Sequence, residues 1–216
     1  MRDRNAPLSG PDIDTLAWDK MGGLLPVTVQ DAGSGSVLML GYVNREALDR
    51  TLADGLVTFW SRSKARLWTK GESSGNQLRL IAAYGDCDGD ALLILADPTG
   101  PTCHLGTASC FGAVAGTGPG WLAELSRIVA RRAASGDDSS YTRRLLADGP
   151  MRIAQKIGEE GVELALAGAA STPEECTAEA ADLLYHLCVL MESRGFEWGD
   201  VVALLQARHS GQGATG

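Results

Sequence analysis

Hydrophobic and polar positions change their period once along this chain. From Leu24 to about residue 115 the apolar residues come in short extended runs separated by glycine-rich or polar breaks: 25–30, 37–43, 56–61, 77–84 and 91–97. The first two runs, Leu25-Pro26-Val27-Thr28-Val29-Gln30 and Val37-Leu38-Met39-Leu40-Gly41-Tyr42-Val43, flank Asp31-Ala32-Gly33-Ser34-Gly35-Ser36, the signature of a hairpin with a glycine-rich turn. One short helix, 44–54, interrupts them, with Asn44 as its N-cap. From Trp121 onward the apolar residues recur at helical spacing, and the pattern predicts helices over 121–134, 141–147, 150–170, 173–194 and 200–208. Thr172, Pro173 and Glu175 form a capping box with proline at the first helical position, and Gly195 stops that helix. The expected fold class is therefore α+β in two domains, a mainly β domain at 1–115 and an all-α domain at 121–216. Gly116-Thr117-Gly118-Pro119-Gly120 joins them as a linker without packing side chains, and the Gly/Ser/Thr tail from Ser210 to Gly216 is expected to be disordered.

Charge and length narrow the function classes. With 19 Lys+Arg against 27 Asp+Glu the net charge is −8, and both halves are acidic, so a phosphate-gripping nucleic-acid protein is not expected. The longest apolar run is the six residues from Ala91 to Ala96, far short of a membrane span. The polar N-terminus lacks a secretory stretch, and five cysteines are too few and odd for a disulfide scaffold, which points to a reducing cytoplasm.

Candidate chemistry in the first half lies between residues 59 and 111. Asp86-Cys87-Asp88-Gly89-Asp90 leads into an apolar strand; if extended, it places Asp86, Asp88 and Asp90 on one face and Cys87 on the other. Carboxylates so close repel by roughly 3 kcal/mol per pair at an effective dielectric near 20, which calls for a hard cation such as magnesium. A solvated acidic turn is the alternative reading. Cys87, Cys103 and Cys110 offer three thiolates with a fourth position left for water, the pattern of catalytic zinc, and His104 beside Cys103 is placed to move a proton. The segments 59–64 and 67–76 are dense in Trp, Arg, Lys, Ser and Gly, groups that stack on a base and hold phosphate.

Trp18-Asp19-Lys20-Met21-Gly22-Gly23-Leu24-Leu25-Pro26, Phe59-Trp60-Ser61-Arg62-Ser63, Trp68-Thr69-Lys70-Gly71-Glu72-Ser73-Ser74-Gly75-Asn76, the aspartate motif, and Cys103-His104 with Ser109-Cys110-Phe111 together resemble the phosphoribosyl-AMP cyclohydrolase family. The resemblance implies a homodimer, with zinc on Cys87, Cys103 and Cys110 drawn from one or both chains and magnesium on Asp86, Asp88 and Asp90. It further implies hydrolytic opening of an adenine ring between N1 and C6 with His104 in a catalytic role, and a substrate held by Trp60, Arg62, Lys70, Glu72, Ser74 and Asn76.

In the second half, Glu159 and Glu160 stand four and three positions before Glu163, crowding one side of a helix flanked by Ile157, Val162 and Leu164. Glu179 and Asp182 repeat the arrangement on the next helix beside Leu183 and Leu184, so five acids are expected to converge on magnesium between two antiparallel helices. Ser140-Tyr141-Thr142 with Leu145-Leu146, then Lys156-Ile157-Gly158-Glu159-Glu160 with Glu163, then Glu179-Ala180-Ala181-Asp182-Leu183-Leu184-Tyr185-His186 resemble the phosphoribosyl-ATP pyrophosphohydrolases, all-α MazG-like enzymes. That resemblance implies magnesium on Glu159, Glu160, Glu163, Glu179 and Asp182, with Glu160 and Glu163 central to catalysis. Lys156, Arg143 and Arg144 are candidates for phosphate contacts. Cys176 and Cys188 match no metal spacing and are expected in the core. The combined expectation is a bifunctional hydrolase of histidine biosynthesis acting on nucleotides. A zinc deaminase is disfavoured, because no His-x-Glu followed by Pro-Cys-x-x-Cys is present.

Overall fold

The computed structural model describes residue 3, residues 6–112 and residues 118–209. Two compact units, Met1–Gly120 and Trp121–Gly216, are formed. The start of the linker and the tail from Ser210 lie outside the described residues.

In the first unit, β1 (Leu25–Asp31) and β2 (Val37–Val43) make the expected antiparallel hairpin, with Val27 opposite Gly41. Every second residue of β1 is buried, and Leu25, Val27 and Val29 have no exposed surface. The turn is built by Asp31, whose carboxylate accepts from the backbone N–H of Gly33 at 2.8 Å and of Ser34 at 3.0 Å. Helix α1 (Arg45–Asp54) starts where Asn44 accepts from the Ala47 N–H at 2.8 Å and stops at Gly55 in the left-handed region.

Strands β3 (Thr58–Ser61) and β4 (Arg66–Thr69) pair as a separate two-stranded sheet in which the rings of Phe59 and Trp68 stack 5.6 Å apart. Strand β4 lies outside the runs that the hydrophobic pattern marks as strands: four residues with two polar ends carry too little periodicity, and it is pairing with β3 that makes them a strand. Gly41 lets this ring approach, since a β-carbon there would stand 2.4 Å from Phe59.

Strand β5 (Leu78–Gly85) runs antiparallel to β6 (Leu92–Pro98), and β6 inserts parallel to β1, giving the order β2-β1-β6-β5. Two 3-10 turns, Gly10–Thr15 and Trp18–Met21, bring Ile13 and Trp18 into the same core.

The second unit is entirely helical among its described residues: α2 (Trp121–Ala134), α3 (Tyr141–Asp148), α4 (Pro150–Ala170), α5 (Pro173–Arg194) and α6 (Trp198–His209). Its core gathers Val129, Leu145, Ile153, Cys188 and Val189, each apolar side chain contributing about 1.5–3 kcal/mol through removal from water. Cys188 is buried as expected, while Cys176 is only partly so. Ser171 and Thr172 alone connect α4 to α5, so the two long helices pack along each other as an antiparallel pair. The capping box is formed: Thr172 accepts from Glu175 N–H, Glu175 accepts from Thr172 N–H, both at 3.3 Å, and Gly195 ends α5 in the left-handed region.

Candidate active sites

In the first unit, residues 86–91 are a turn between β5 and β6. The Asp86 carboxylate accepts from the N–H of Asp90 at 2.9 Å and of Ala91 at 3.2 Å, which curls the segment back. This corrects the extended, alternating arrangement expected of Asp86, Asp88 and Asp90: three short acceptors beside glycine favour backbone capping over a straight strand. Gly89 has φ +75°, and a β-carbon there would meet the Leu16–Ala17 backbone at 3.4–3.5 Å. The curl brings ligand atoms of Asp86, Cys87 and Asp88 within 4.8 Å of one another. Asp90 pairs instead with Lys20, whose ammonium also bridges to Asp88. That bridge holds Asp88 below the usual carboxylate range and Lys20 above the usual amine range.

The loop 101–112 is fastened to the edge of β2, where Cys110 N–H donates to the Leu38 carbonyl at 2.8 Å and the Ser109 hydroxyl to the Val37 carbonyl at 2.8 Å. Cys103 and Cys110 meet in this loop. Hydrogen bonds from the Leu105 amide and the Thr107 hydroxyl push the Cys103 thiol below its ordinary range, while burial and then its sulfur neighbour push Cys110 up. Nearly buried Lys70 adds positive charge toward both sulfurs. His104 is exposed, with Nδ1 3.9 Å from the Cys103 sulfur.

Among the described residues, no group of three ligand atoms within 4.8 Å contains Cys103 or Cys110. The expected trio of Cys87, Cys103 and Cys110 is thus divided within one chain into a pair and a single thiol. Sequence spacing could not reveal this, because β5, β6 and β2 hold the two loops from different strand ends.

The other sequence-selected side chains of this unit occupy the β3–β4 hairpin and the loop after it. Arg62 lies 3.8 Å over the Tyr42 ring. Glu72 is engaged by Arg66 at 2.7 Å, which lowers its pKa, and Lys70 Nζ donates to the Asn76 carbonyl at 3.4 Å. Gly71 at φ +86° lets the backbone of Asn76 approach, where a β-carbon would stand 2.5 Å away. Trp60 is half-buried, and Ser74, whose hydroxyl accepts from Asn76 N–H at 3.3 Å, is exposed.

In the second unit, Glu160 on α4 and Glu179 and Asp182 on α5 have ligand oxygens within 4.8 Å of one another. Glu160 is 5% exposed, so its charge is neutralised locally by Lys156 Nζ at 2.9 Å. Glu163 belongs to the same face: burial first, then the charges of Glu160 and Glu179, push its carboxyl up.

Glu159 does not join them. Lys156 and Gln155, each at 2.8 Å, and Arg152 at 4.0 Å hold its carboxylate and lower its pKa. Of the five acids expected to converge, the structure brings Glu160, Glu179 and Asp182 within 4.8 Å of one another and leaves Glu159 with its own-helix partners Lys156, Gln155 and Arg152. Val162, expected as an apolar flank, is 60% exposed within one chain.

Arg143 turns to the Ser135 carbonyl and Asp138. Arg144 instead lines an open cavity of about 340 Å³ with Tyr141, Leu145, Ala147, Asp148 and Arg152. Sequence reasoning missed Arg152, which only its position one turn before Lys156 could have suggested.

Comparison with known proteins decides between the readings this geometry allows. The family model described as phosphoribosyl-AMP cyclohydrolase matches residues 39–112, and that described as phosphoribosyl-ATP pyrophosphohydrolase matches residues 122–209. The "Histidine biosynthesis bifunctional protein HisIE" of Photorhabdus laumondii is 53% identical over 201 residues, covering 93% of this chain and 100% of the relative. The proteins of the same name from Xanthomonas campestris and Escherichia coli K12 are 56% and 54% identical, covering 93% and 90% of this chain and 96% and 95% of theirs. This chain belongs to the bifunctional histidine-biosynthesis enzyme family. As a member of that family it is a hydrolase with two activities, cyclohydrolase and pyrophosphohydrolase. No helix among its described residues is long and apolar enough to cross a membrane.

Proposed function

We propose that the all-α part, residues 121–216, cleaves phosphoribosyl-ATP to phosphoribosyl-AMP and pyrophosphate, and that the β part, residues 1–115, then opens the adenine ring of that product between N1 and C6. The observation that carries this reading is the presence of two separate donor sets of different chemistry, sulfur with carboxylate in one unit and carboxylate alone in the other. Thiolates suit zinc and clustered carboxylates suit magnesium. When bound, zinc activates water as the nucleophile and magnesium neutralises phosphate oxygens.

In the helical unit, Glu160, Glu179 and Asp182, joined by Glu163, would hold magnesium, while Glu159 acts through Lys156. Lys156 fixes Glu160, and Arg144 and Arg152 supply positive charge to the phosphates from the cavity wall. In the β unit, Cys103 and Cys110 are a pair of sulfur donors already brought together, and Asp86, Asp88 and Asp90 would hold magnesium in place of the Lys20 ammonium that now bridges Asp88 and Asp90. Trp60, Arg62, Lys70, Glu72, Ser74 and Asn76 orient the nucleotide.

His104 takes or returns a proton at its exposed ring. The zinc set needs Cys87 as well, so we place it between the two protomers of a homodimer. Leu105 and Phe111, 78% and 57% exposed beside the thiols, supply apolar surface for that contact. The five free cysteines fit a reducing cytoplasm.

The test is one coupled assay. Phosphoribosyl-ATP is supplied to the purified chain with zinc and magnesium, and pyrophosphate release is followed together with the ultraviolet change of ring opening. Both signals are expected, in that order. Loss of pyrophosphate release overturns the helical half of the assignment, and absence of ring opening from supplied phosphoribosyl-AMP overturns the β half.

A further inference from the structure

His186 has no part in the chemistry assigned above, yet its ring is 4% exposed and lies one turn beyond Asp182 on α5. Its Nδ1 stands 2.9 Å from the Asp182 carbonyl oxygen. A carbonyl only accepts, so Nδ1 carries the hydrogen and donates it. In the neutral ring Nε2 is then the acceptor, and the Tyr141 hydroxyl, 3.2 Å away, donates to it.

The same Nδ1 stands 3.6 Å from Oε1 of Glu160, beyond hydrogen-bond distance, so the N–H given to the Asp182 carbonyl also lies within electrostatic reach of the carboxylate that α4 brings to the cluster. The ring cannot turn away. Tyr185 meets it edge-on at 5.2 Å and Tyr141 at 6.2 Å, and the Tyr185 hydroxyl is itself tied to the Thr142 hydroxyl at 2.8 Å. One side chain of α5, locked by α3, therefore touches both the backbone of Asp182 and the carboxylate of Glu160.

We infer that His186, held by Tyr141, is a positioning residue of the pyrophosphohydrolase site that fixes Glu160 against Glu179 and Asp182 before a divalent cation binds. The inference rests on the assignment of that cluster to magnesium. Carboxylates this close repel and would rotate apart if left alone. Lys156 and His186 both bear on the same oxygen of Glu160, Oε1, the first at 2.9 Å and the second at 3.6 Å. Outer partners of this kind set metal affinity by roughly 10–100-fold.

The experiment measures Mn²⁺ binding by electron paramagnetic resonance, without substrate, on the full chain carrying Asp88→Asn to remove the acidic cluster of the first unit. His186→Gln keeps a donor only on the Nε2 side, whereas His186→Asn places an amide N–H where Nδ1 stood. His186→Gln is expected to weaken Mn²⁺ binding about tenfold, and His186→Asn to restore it to within roughly threefold of the parent. Parent-like affinity in His186→Gln, or equal loss in both variants, overturns the inference.

Tyr141→Phe keeps the test open should His186→Gln fail to fold. Roughly two- to threefold weaker binding is expected, and an unchanged value counts against the inference. Glu160→Gln in the same background separates the two levels. If it leaves Mn²⁺ binding unchanged, the magnesium assignment itself fails; if it weakens binding while His186→Gln does not, only the positioning role fails.

Discussion

The two units build their candidate metal-ligand sets by different means. In the helical unit the carboxylates sit on rigid helix faces, and one chain brings Glu160, Glu179 and Asp182 within 4.8 Å. In the β unit the donors sit on loops at strand ends, and one chain leaves Cys87 apart from the Cys103–Cys110 pair. A helix pair preassembles its site because 3.6-residue periodicity and one short turn determine which side chains face each other. Loop donors depend on strand order and, in our assignment, on a second chain. The helical site is therefore expected to tolerate dilution, and the thiolate site to depend on assembly.

The contrast can be broken most strongly at the sulfurs. Cys103→Ser should abolish ring opening, a loss above the roughly 10–100-fold that outer partners control, with pyrophosphate release within about twofold of normal. Comparable loss of both in the coupled assay would mean that the two sites are not independent. Glu160→Gln should do the converse, reducing pyrophosphate release by about a hundredfold or more while ring opening of supplied phosphoribosyl-AMP persists. Unchanged release would remove the carboxylate cluster from the mechanism.

Zinc removal sharpens the comparison at the level of metal. Elemental analysis should find about one zinc per chain for three thiolate ligands. A chelated, zinc-free protein should lose ring opening alone, and a zinc-free protein that still opens the ring would refute the thiolate site. A smaller effect is expected from packing. Ile153→Ala, at a side chain with no exposed surface, should destabilise the helical unit by about 2–5 kcal/mol in denaturant unfolding followed by helical circular dichroism. The smallest is Thr172→Ala, which removes the cap of α5 and should cost about 1 kcal/mol by the same measurement.

How much could be read in advance follows the same divide. The bounds of α2, α4 and α5 and the α5 capping box agree with the expectation because each is set by local period and capping chemistry. β1, β2 and α1 were legible for the same reason, with Asp31 and Asn44 as their turn and cap. β4 was not, since four residues become a strand only through β3. The curl of 86–90 was missed because Asp86 caps backbone N–H groups that sequence spacing does not show.

What the sequence by itself determined is the two-part architecture and the family, both of which follow from composition, period and motif order. Only the tertiary structure decided that Glu159 turns to Lys156, Gln155 and Arg152, that Cys87 stands with aspartates instead of with its fellow thiols, and that His186 reaches Glu160. The reason is range: capping and periodicity act over a few residues along the chain. Which charged groups neutralise one another depends on the close approach of segments distant in sequence, and only the folded core brings them within ångströms.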